Sequence, residues 1–196
     1  DRKKIKTEST EPINRIIAAT PNSNLLIAVP TSSLLRSVKY GQSEVSNVLI
    51  RGTVSDYLIT STFDFKEGRF FNDVESRSGA NVCVIGYDVA DALFPSESPI
   101  EKSVLINGQP FRVVGAISRQ GTFLGLFSLD SIVVMPLPAF QKYFSAKSDS
   151  DILVKVKDKT KLAEAKDVLV GVMRRVRGLP PEKKDHFSIN EQQGLK

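Results

Sequence analysis

Short apolar runs bounded by turn residues recur along the chain. The runs over 24–29, 81–86 and 131–135 predict buried strands, because each is short and lacks a helical period. Residues 151–156 alternate apolar and charged side chains, which predicts a half-exposed strand. Pro30 directly follows the first run and is expected to end it.

Two segments have the pattern of β-hairpins. Residues 38–52 are expected to turn at 41–43, where glycine is followed by polar residues. The strands over 104–106 and 111–117 are joined through Asn107 and Gly108, a pair that favours a type I′ turn because both residues adopt positive φ there. The second hairpin is the strongest structural signal in the sequence.

Helical segments are marked by capping residues and apolar stripes. Thr10, Ser55 and Thr160 stand where N-caps are expected. They begin predicted helices over 11–20, 56–60 and 161–177, and further short helices are expected over 88–94 and 138–144. The longest predicted helix has a core stripe of Leu162, Ala165, Leu169, Val172 and Val176. A last strand is predicted over 186–189.

The segment EGRFFNDVESRSG connects two of these elements. Gly68 is expected to supply a turn, Phe70 and Phe71 to anchor a core, and residues 73–78 to cross the surface as a loop. Strands and helices do not alternate regularly along the chain. The predicted fold class is therefore α+β, without the parallel sheet of an alternating α/β protein.

The residues that usually carry enzyme chemistry are scarce. Cys83 lies in an apolar run, which indicates a buried and inert thiol, and His186 is the single histidine. Asp56, Asp64 and Glu67 lie in different local elements, and solvated turn carboxylates are expected there rather than an acid–base pair. No phosphate loop, dinucleotide fingerprint or nucleophile elbow occurs in the sequence. We predict a domain without catalysis, metal or cofactor.

The charge balance leaves one alternative function open. Lys and Arg number 27 against 22 Asp and Glu, for a net charge of +5. The basic runs at 2–4, 174–177 and 183–184 match a nucleic-acid-binding module in charge. No aromatic ladder accompanies them, and the run at 174–177 closes a predicted helix, where cations favour the helix dipole. A solvated basic face is the preferred interpretation.

The loop GTFLGLF at 121–127 has four large apolar side chains without a helical or strand period. These are Phe123, Leu124, Leu126 and Phe127. Such a loop either folds onto the core or contacts a partner protein. We expect these four residues to be a partner contact, and the core alternative stays open.

An ordered set of segments resembles a known family. The segments are Glu67–Phe71, Asn81–Gly86, Ala92–Phe94, Pro99–Ile100, Ile106–Gly115 and Val133–Leu137. In this order they resemble the extracytoplasmic core domain of MacB/FtsX-type ABC transporter permeases, over about residues 48–136. The family usually has a longer stretch between Pro30 and Val38, whereas only residues 31–37 are present here.

The resemblance implies two subdomains. Residues 1–50 and 137–196 would form a mixed α/β subdomain near the membrane, and residues 51–136 a mostly β distal subdomain. It also implies transmembrane helices outside this chain, which would attach the domain to the outer face of the bacterial inner membrane, in the periplasm or the extracellular space.

The resemblance further implies a mechanical role. ATP hydrolysis in a separate cytoplasmic ATPase domain or subunit would drive a motion that this domain relays to export of a drug, peptide or lipoprotein. The implied partners are a second permease protomer in a homodimer, the ATPase, and an adaptor, lipoprotein or outer-membrane channel. No nucleic acid is implied.

Overall fold

The computed structural model describes residues 14, 25–60, 63–120, 122–123, 127–128, 130–144, 149–156, 167 and 170. By its internal contacts the chain divides into two compact units. Unit 1 comprises residues 1–31, 56–62 and 150–196, and unit 2 comprises residues 32–55 and 63–149. The predicted subdomain boundaries were 50/51 and 136/137. Which subdomain lies near the membrane stays a prediction.

The structure gives bounds for ten strands and four helices among the described residues. The strands are β1 (Leu25–Tyr40), β2 (Ser43–Thr53), β3 (Phe65–Gly68), β4 (Val82–Ile85), β5 (Ser103–Ile106), β6 (Gln109–Ile117), β7 (Thr122–Phe123), β8 (Phe127–Ser128), β9 (Ile132–Pro136) and β10 (Asp149–Val156). The helices are α1 (Tyr57–Thr60), α2 (Asp73–Ser78), α3 (Tyr87–Leu93) and α4 (Leu137–Phe144). Helices and mainly antiparallel strands together confirm the α+β class.

Unit 2 contains a closed ring of six strands. The hydrogen-bonded order is β1, β2, β9, β4, β6 and β5, and β5 returns to β1 through Val38↔Ile106 and Lys39↔Leu105. The β2–β9 and β4–β6 pairs are parallel, and the other pairs in the ring are antiparallel. Strand β3 pairs with the end of β6 at residues 115–117, beyond the part of β6 that pairs with β5. Because β5 pairs with β1, the ring is closed and none of its six strands is an edge strand.

One face of these strands forms a single hydrophobic cluster. Strand residues alternate between faces, so the cluster takes every second residue from most strands. The ring contributes Val38, Val48, Ile50, Cys83, Ile85, Val104, Ile106, Phe111, Val113, Val133 and Met135. Helices α3 and α4 pack into the same cluster through Val89, Leu93, Ala139, Phe140 and Phe144.

The predicted burial of Cys83 is confirmed. Its side chain has no exposed surface, and burial raises the pKa of the thiol far above its ordinary value. The thiolate is therefore not populated at neutral pH, and the residue behaves as a small apolar side chain. Phe70 and Phe71 are also buried, with ring centroids 4.1 Å apart, as the sequence predicted.

In unit 1, the described residues of β1 and β10 include buried apolar side chains. Ala28, Val29 and Ile152 are each about 1% exposed. Asn14 is helical, in the middle of the predicted helix over 11–20, and the rest of that helix lies outside the described residues. Asp167 and Val170 are helical as well, while the other residues of the predicted 161–177 helix and the 186–189 strand lie outside the described part.

The two predicted hairpins are confirmed. Strands β1 and β2 pair from Ser32↔Gly52 to Tyr40↔Ser43, and Gly41 has φ 57°. Strands β5 and β6 are joined by Asn107 at φ 53° and Gly108 at φ 79°, the backbone that the type I′ turn requires.

Two local predictions were wrong. Pro30 does not end the first strand, because β1 continues through it to Tyr40. A proline lacks only the N–H donor, and its fixed φ is compatible with extended backbone. Residues 73–78 are helix α2 and not a loop. Asn72 Oδ1 accepts from Glu75 N at 2.8 Å and Asn72 N donates to Glu75 Oε1 at 2.9 Å, which is a capping box.

Candidate functional site

The predicted partner-contact loop contains a small hairpin. Thr122 pairs with Ser128 and Phe123 pairs with Phe127, in antiparallel register across β7 and β8. Leu124 and Leu126 lie outside the described residues. The expected loop without strand period is therefore wrong for these four paired positions. A short connection that contains Gly125 favours such a hairpin, and this signal was available in the sequence.

The residues on either side of this hairpin, 118–120 and 130, form its stem. A hydrogen bond to Asp130 joins the two sides. The backbone N–H of Gln120 donates to Asp130 Oδ1 at 2.6 Å, which joins the incoming arm of the loop to the outgoing arm. The Gln120 side-chain amide also donates to Ser118 O at 2.9 Å. Asp130 is buried although it is an acidic residue. A buried carboxylate needs such donors, since burial without them costs free energy.

The stem is also attached to the start of helix α3. Asp88 N donates to Asp130 O at 3.0 Å, and Gly86 N donates to Ile132 O at 2.8 Å. A Cβ added at Gly86 would overlap the Asp130 carbonyl oxygen and lie 2.9 Å from its carbon. Gly86 is therefore required for close approach of the two backbones, and not for its dihedral angles.

Two cations lie against one aromatic ring beside the stem. Lys66 Nζ is 5.7 Å and the Arg119 guanidinium carbon is 5.4 Å from the centroid of the Tyr87 ring. Both distances fit cation–π attraction, which is modest for exposed cations. The contact adds a third link between the stem and the body of unit 2.

A cavity of about 100 Å³ lies in the same region. It is lined by Lys66, Glu67, Tyr87, Ala90, Asp91, Phe94, Pro95, Glu97, Pro99, Ala116 and Ile117. Pockets that hold drug-sized ligands have volumes of roughly 300–1,000 Å³. The cavity is too small to enclose a molecule of that size.

The candidate carboxylates are divided between the two units. Asp64 and Glu67 belong to unit 2 and Asp56 to unit 1. The Asp64 backbone oxygen accepts a hydrogen bond from Ser118 N at 2.7 Å. Within the described ranges, no three His, Cys, Asp or Glu residues are arranged to hold a metal ion. In the same part of the chain, no helix is long and apolar enough to cross a membrane.

Sequence reasoning identified the apolar loop but missed its stem. Gln120 and Asp130 are polar residues that flank an apolar loop, and Gly86 and Tyr87 are more than thirty positions away. Their association depends on the β4–β9 pairing, which brings Gly86 next to Ile132. No local pattern in the sequence reports that pairing.

Comparison with known proteins gives a family match over most of the chain. The model of the MacB-like periplasmic core domain matches residues 5–172. The chain is 25% identical over 140 residues to the pyoverdine export ATP-binding/permease protein PvdT of Pseudomonas aeruginosa, which covers 71% of this chain and 21% of that protein. It is 29% identical over 134 residues to the macrolide export ATP-binding/permease protein MacB of Nitrobacter winogradskyi, covering 67% and 21%.

The fold is also similar to a solved structure. The periplasmic region of MacB from Actinobacillus actinomycetemcomitans superimposes with a TM-score of 0.67 at 20% identity, covering 86% of this chain and 73% of that one. The chain spans about a fifth of the length of the curated relatives that it matches. These matches confirm the resemblance seen in the sequence, and they do not support the nucleic-acid alternative.

Proposed function

Because the chain belongs to the MacB-like periplasmic core domain family, we propose that it is the extracytoplasmic domain of an ABC transporter permease that relays ATP-driven motion to substrate export. The family match over residues 5–172 is the observation that carries the proposal. Hydrolysis of ATP takes place in a separate cytoplasmic domain or subunit. Two relatives are named as ATP-binding/permease proteins for export, which supports this division of roles.

The packing of unit 2 supports a mechanical role over a ligand-binding one. The apolar face of the six-stranded ring is filled by its own side chains and by α3 and α4. The cavity at its surface is smaller than the volume that a drug-sized ligand needs. A densely packed body transmits displacement well, because close-packed interiors have low compressibility.

We further propose that the hairpin at 122–128 contacts a partner protein, with Phe123, Leu124, Leu126 and Phe127 as the contact residues. A two-stranded hairpin of this length is marginal in water without further packing. The fixed stem at Gln120 and Asp130 supports this role, since it holds the ends of the apolar loop in one position. The partner is the second protomer, an adaptor, a lipoprotein or an outer-membrane channel.

The exported substrate is proposed only as a class. One relative is named for pyoverdine export and another for macrolide export, so relatives of similar identity differ in their named substrates. The classes that we propose are a drug, a peptide or a lipoprotein. We also propose that the domain lies on the outer face of the cytoplasmic membrane. Transmembrane helices outside this chain would attach it there.

The location is tested by cysteine labelling of the intact protein in cells. Gln42 is exposed at the β1–β2 turn, so Q42C offers a reactive thiol. Cys83 is fully buried, so the protein without the Q42C substitution shows the background level of labelling. A membrane-impermeant maleimide is expected to label Q42C in spheroplasts before lysis. Labelling that requires lysis would contradict an extracytoplasmic location.

The export function is tested with the intact protein in sealed inverted vesicles. ATP-dependent accumulation of a substrate is expected for the wild type and should be lost when ATP is replaced by a non-hydrolysable analogue. The panel should contain pyoverdine, a macrolide and a peptide. Accumulation that is equal with and without hydrolysis would argue against an ATP-driven exporter.

A further inference from the structure

Asn14 and Ala28 form a two-point contact in unit 1. Asn14 Nδ2 donates to Ala28 O at 2.9 Å, and Ala28 N donates to Asn14 Oδ1 at 2.7 Å. Asn14 is helical and partly buried, and Ala28 is a buried residue of β1. A side-chain amide carries one acceptor and donors side by side, so it satisfies both backbone groups of one strand residue.

This contact occupies one side of β1 at Ala28. The N–H and C=O of a strand residue point to the same side, and at Ala28 both are bonded to Asn14. No other strand is therefore able to pair with Ala28 on that side.

The two residues are fourteen positions apart, so the contact bypasses the chain between them. A displacement of Asn14 reaches β1 directly, without passing through the intervening residues. Strand β1 then continues to Tyr40 and pairs with β2 from Ser32 onward. A strand held in a ladder resists stretching along its length, because the extended backbone has little slack.

We propose that Asn14 is a coupling residue, which transfers displacement at its own position to strand β1 through the two hydrogen bonds to Ala28. The inference rests on the proposed function of the domain as a relay of ATP-driven motion. Asn14 acts through Ala28 and is therefore a positioning residue.

The test uses the intact protein with three variants. N14A removes both hydrogen bonds, and N14D keeps an acceptor for Ala28 N but loses the donor to Ala28 O. N81A is the matched control, because the Asn81 amide donates to a side chain, Tyr143 Oη at 3.2 Å, and not to a strand backbone. Hydrogen exchange of the peptide that contains Ala28 and the amount exported per ATP hydrolysed are measured for each.

In N14A we expect exchange at Ala28 to increase about tenfold, the size of effect that a lost hydrogen bond has on a local opening equilibrium. Export per ATP is expected to fall while ATP hydrolysis continues. N14D should keep part of the protection at Ala28 and still lose coupling. N81A should match the wild type in both measurements. If N14A does not fold, N14D decides the question by the same two measurements.

Two results would overturn the coupling role. One is unchanged exchange at Ala28 in both Asn14 variants, which would mean that the contact does not protect this strand. The other is unchanged export per ATP in a variant that has lost the protection. A wild-type protein that exports nothing with ATP would overturn the proposed function and with it the coupling role. In that case the exchange data would still report whether the contact exists.

Discussion

The Arg69 guanidinium donates to the Glu75 carboxylate at 2.7 Å, directly at the first turn of helix α2. The same carboxylate accepts from Asn72 N, so one acidic side chain closes the capping box and the ion pair together. Hydrogen bonding from Arg69 is the largest cause that lowers the pKa of Glu75, and the backbone hydrogen bond from Asn72 adds to it. The helix start therefore depends on the charge of Glu75.

This relationship predicts how stability changes with pH. The pKa of Glu75 is lower in the folded state than the ordinary 4.5. The stabilisation of the folded state by the ionised Glu75 side chain is therefore fully present above about pH 4.5. That stabilisation is lost as the pH falls through the lowered pKa. We expect E75Q to cost about 1 kcal/mol at pH 7, a small value because the Arg69 side chain is 53% exposed, and the cost should shrink at acid pH.

Urea denaturation of the wild type and E75Q between pH 3 and 7 measures how the cost of the substitution depends on pH. The Arg77–Asp73 pair is the control, because its side chains are 81% and 60% exposed, and R77Q should change stability little. An E75Q cost that stays constant over this pH range would contradict the assignment.

Substitution by alanine is expected to destabilise the protein at both Gly86 and Gly108, but for different physical reasons. G86A places a Cβ against the Asp130 carbonyl at an ordinary φ of −73°, so the cost is steric and we expect about 1–3 kcal/mol. G108A meets no atom within 4 Å, but its φ of 79° disfavours any Cβ, with an expected cost of about 1 kcal/mol. Thermal denaturation compares the two variants.

A second measurement separates these causes. G108N should recover much of the stability lost in G108A, since asparagine tolerates left-handed backbone, whereas G86N should be at least as harmful as G86A. Equal behaviour of asparagine at both positions would mean that the steric explanation for Gly86 is wrong.

Phe140 is expected to be the most costly side chain of helix α4 to truncate. Phe140 is fully buried, and its ring centroid lies 5.4 Å from that of Phe144. It also packs directly on Gly52, since a Cβ added at Gly52 would lie 2.6 Å from the Phe140 Cγ. F140A should cost about 3–5 kcal/mol, because the glycine backbone opposite cannot fill the cavity. Leu105, at 43% exposure, is the control, and L105A should cost below about 0.5 kcal/mol.

The apolar loop is expected to affect transport more than stability. F123S combined with F127S should leave the melting temperature nearly unchanged and impair export by the intact protein, if the loop contacts a partner. V74S is the control, because Val74 is 74% exposed in α2 and outside the loop. A large loss of stability without a specific transport defect would assign the loop to the core.

Local signals in the sequence were sufficient where one short segment decides its own backbone. Asn107 and Gly108 adopt positive φ because the two-residue turn demands it, and the sequence identifies that turn without further context. The Cys83 run was likewise predicted as a buried strand from its apolar side chains alone. The capping box at Asn72 and Glu75 was equally local, and its Asn-x-x-Glu spacing could have predicted helix α2.

The sequence by itself determined the α+β class and the two main hairpins, since these follow from the order of local elements and from turn residues between neighbouring strands. Only the tertiary structure decided that Val38 meets Ile106 to close the ring, that Pro30 lies inside a strand, and that Asp130 ties the loop to Gln120. The physical reason is that strand pairing joins residues far apart in the chain. Which strands pair is decided by the burial of the whole core, and no short segment contains that information.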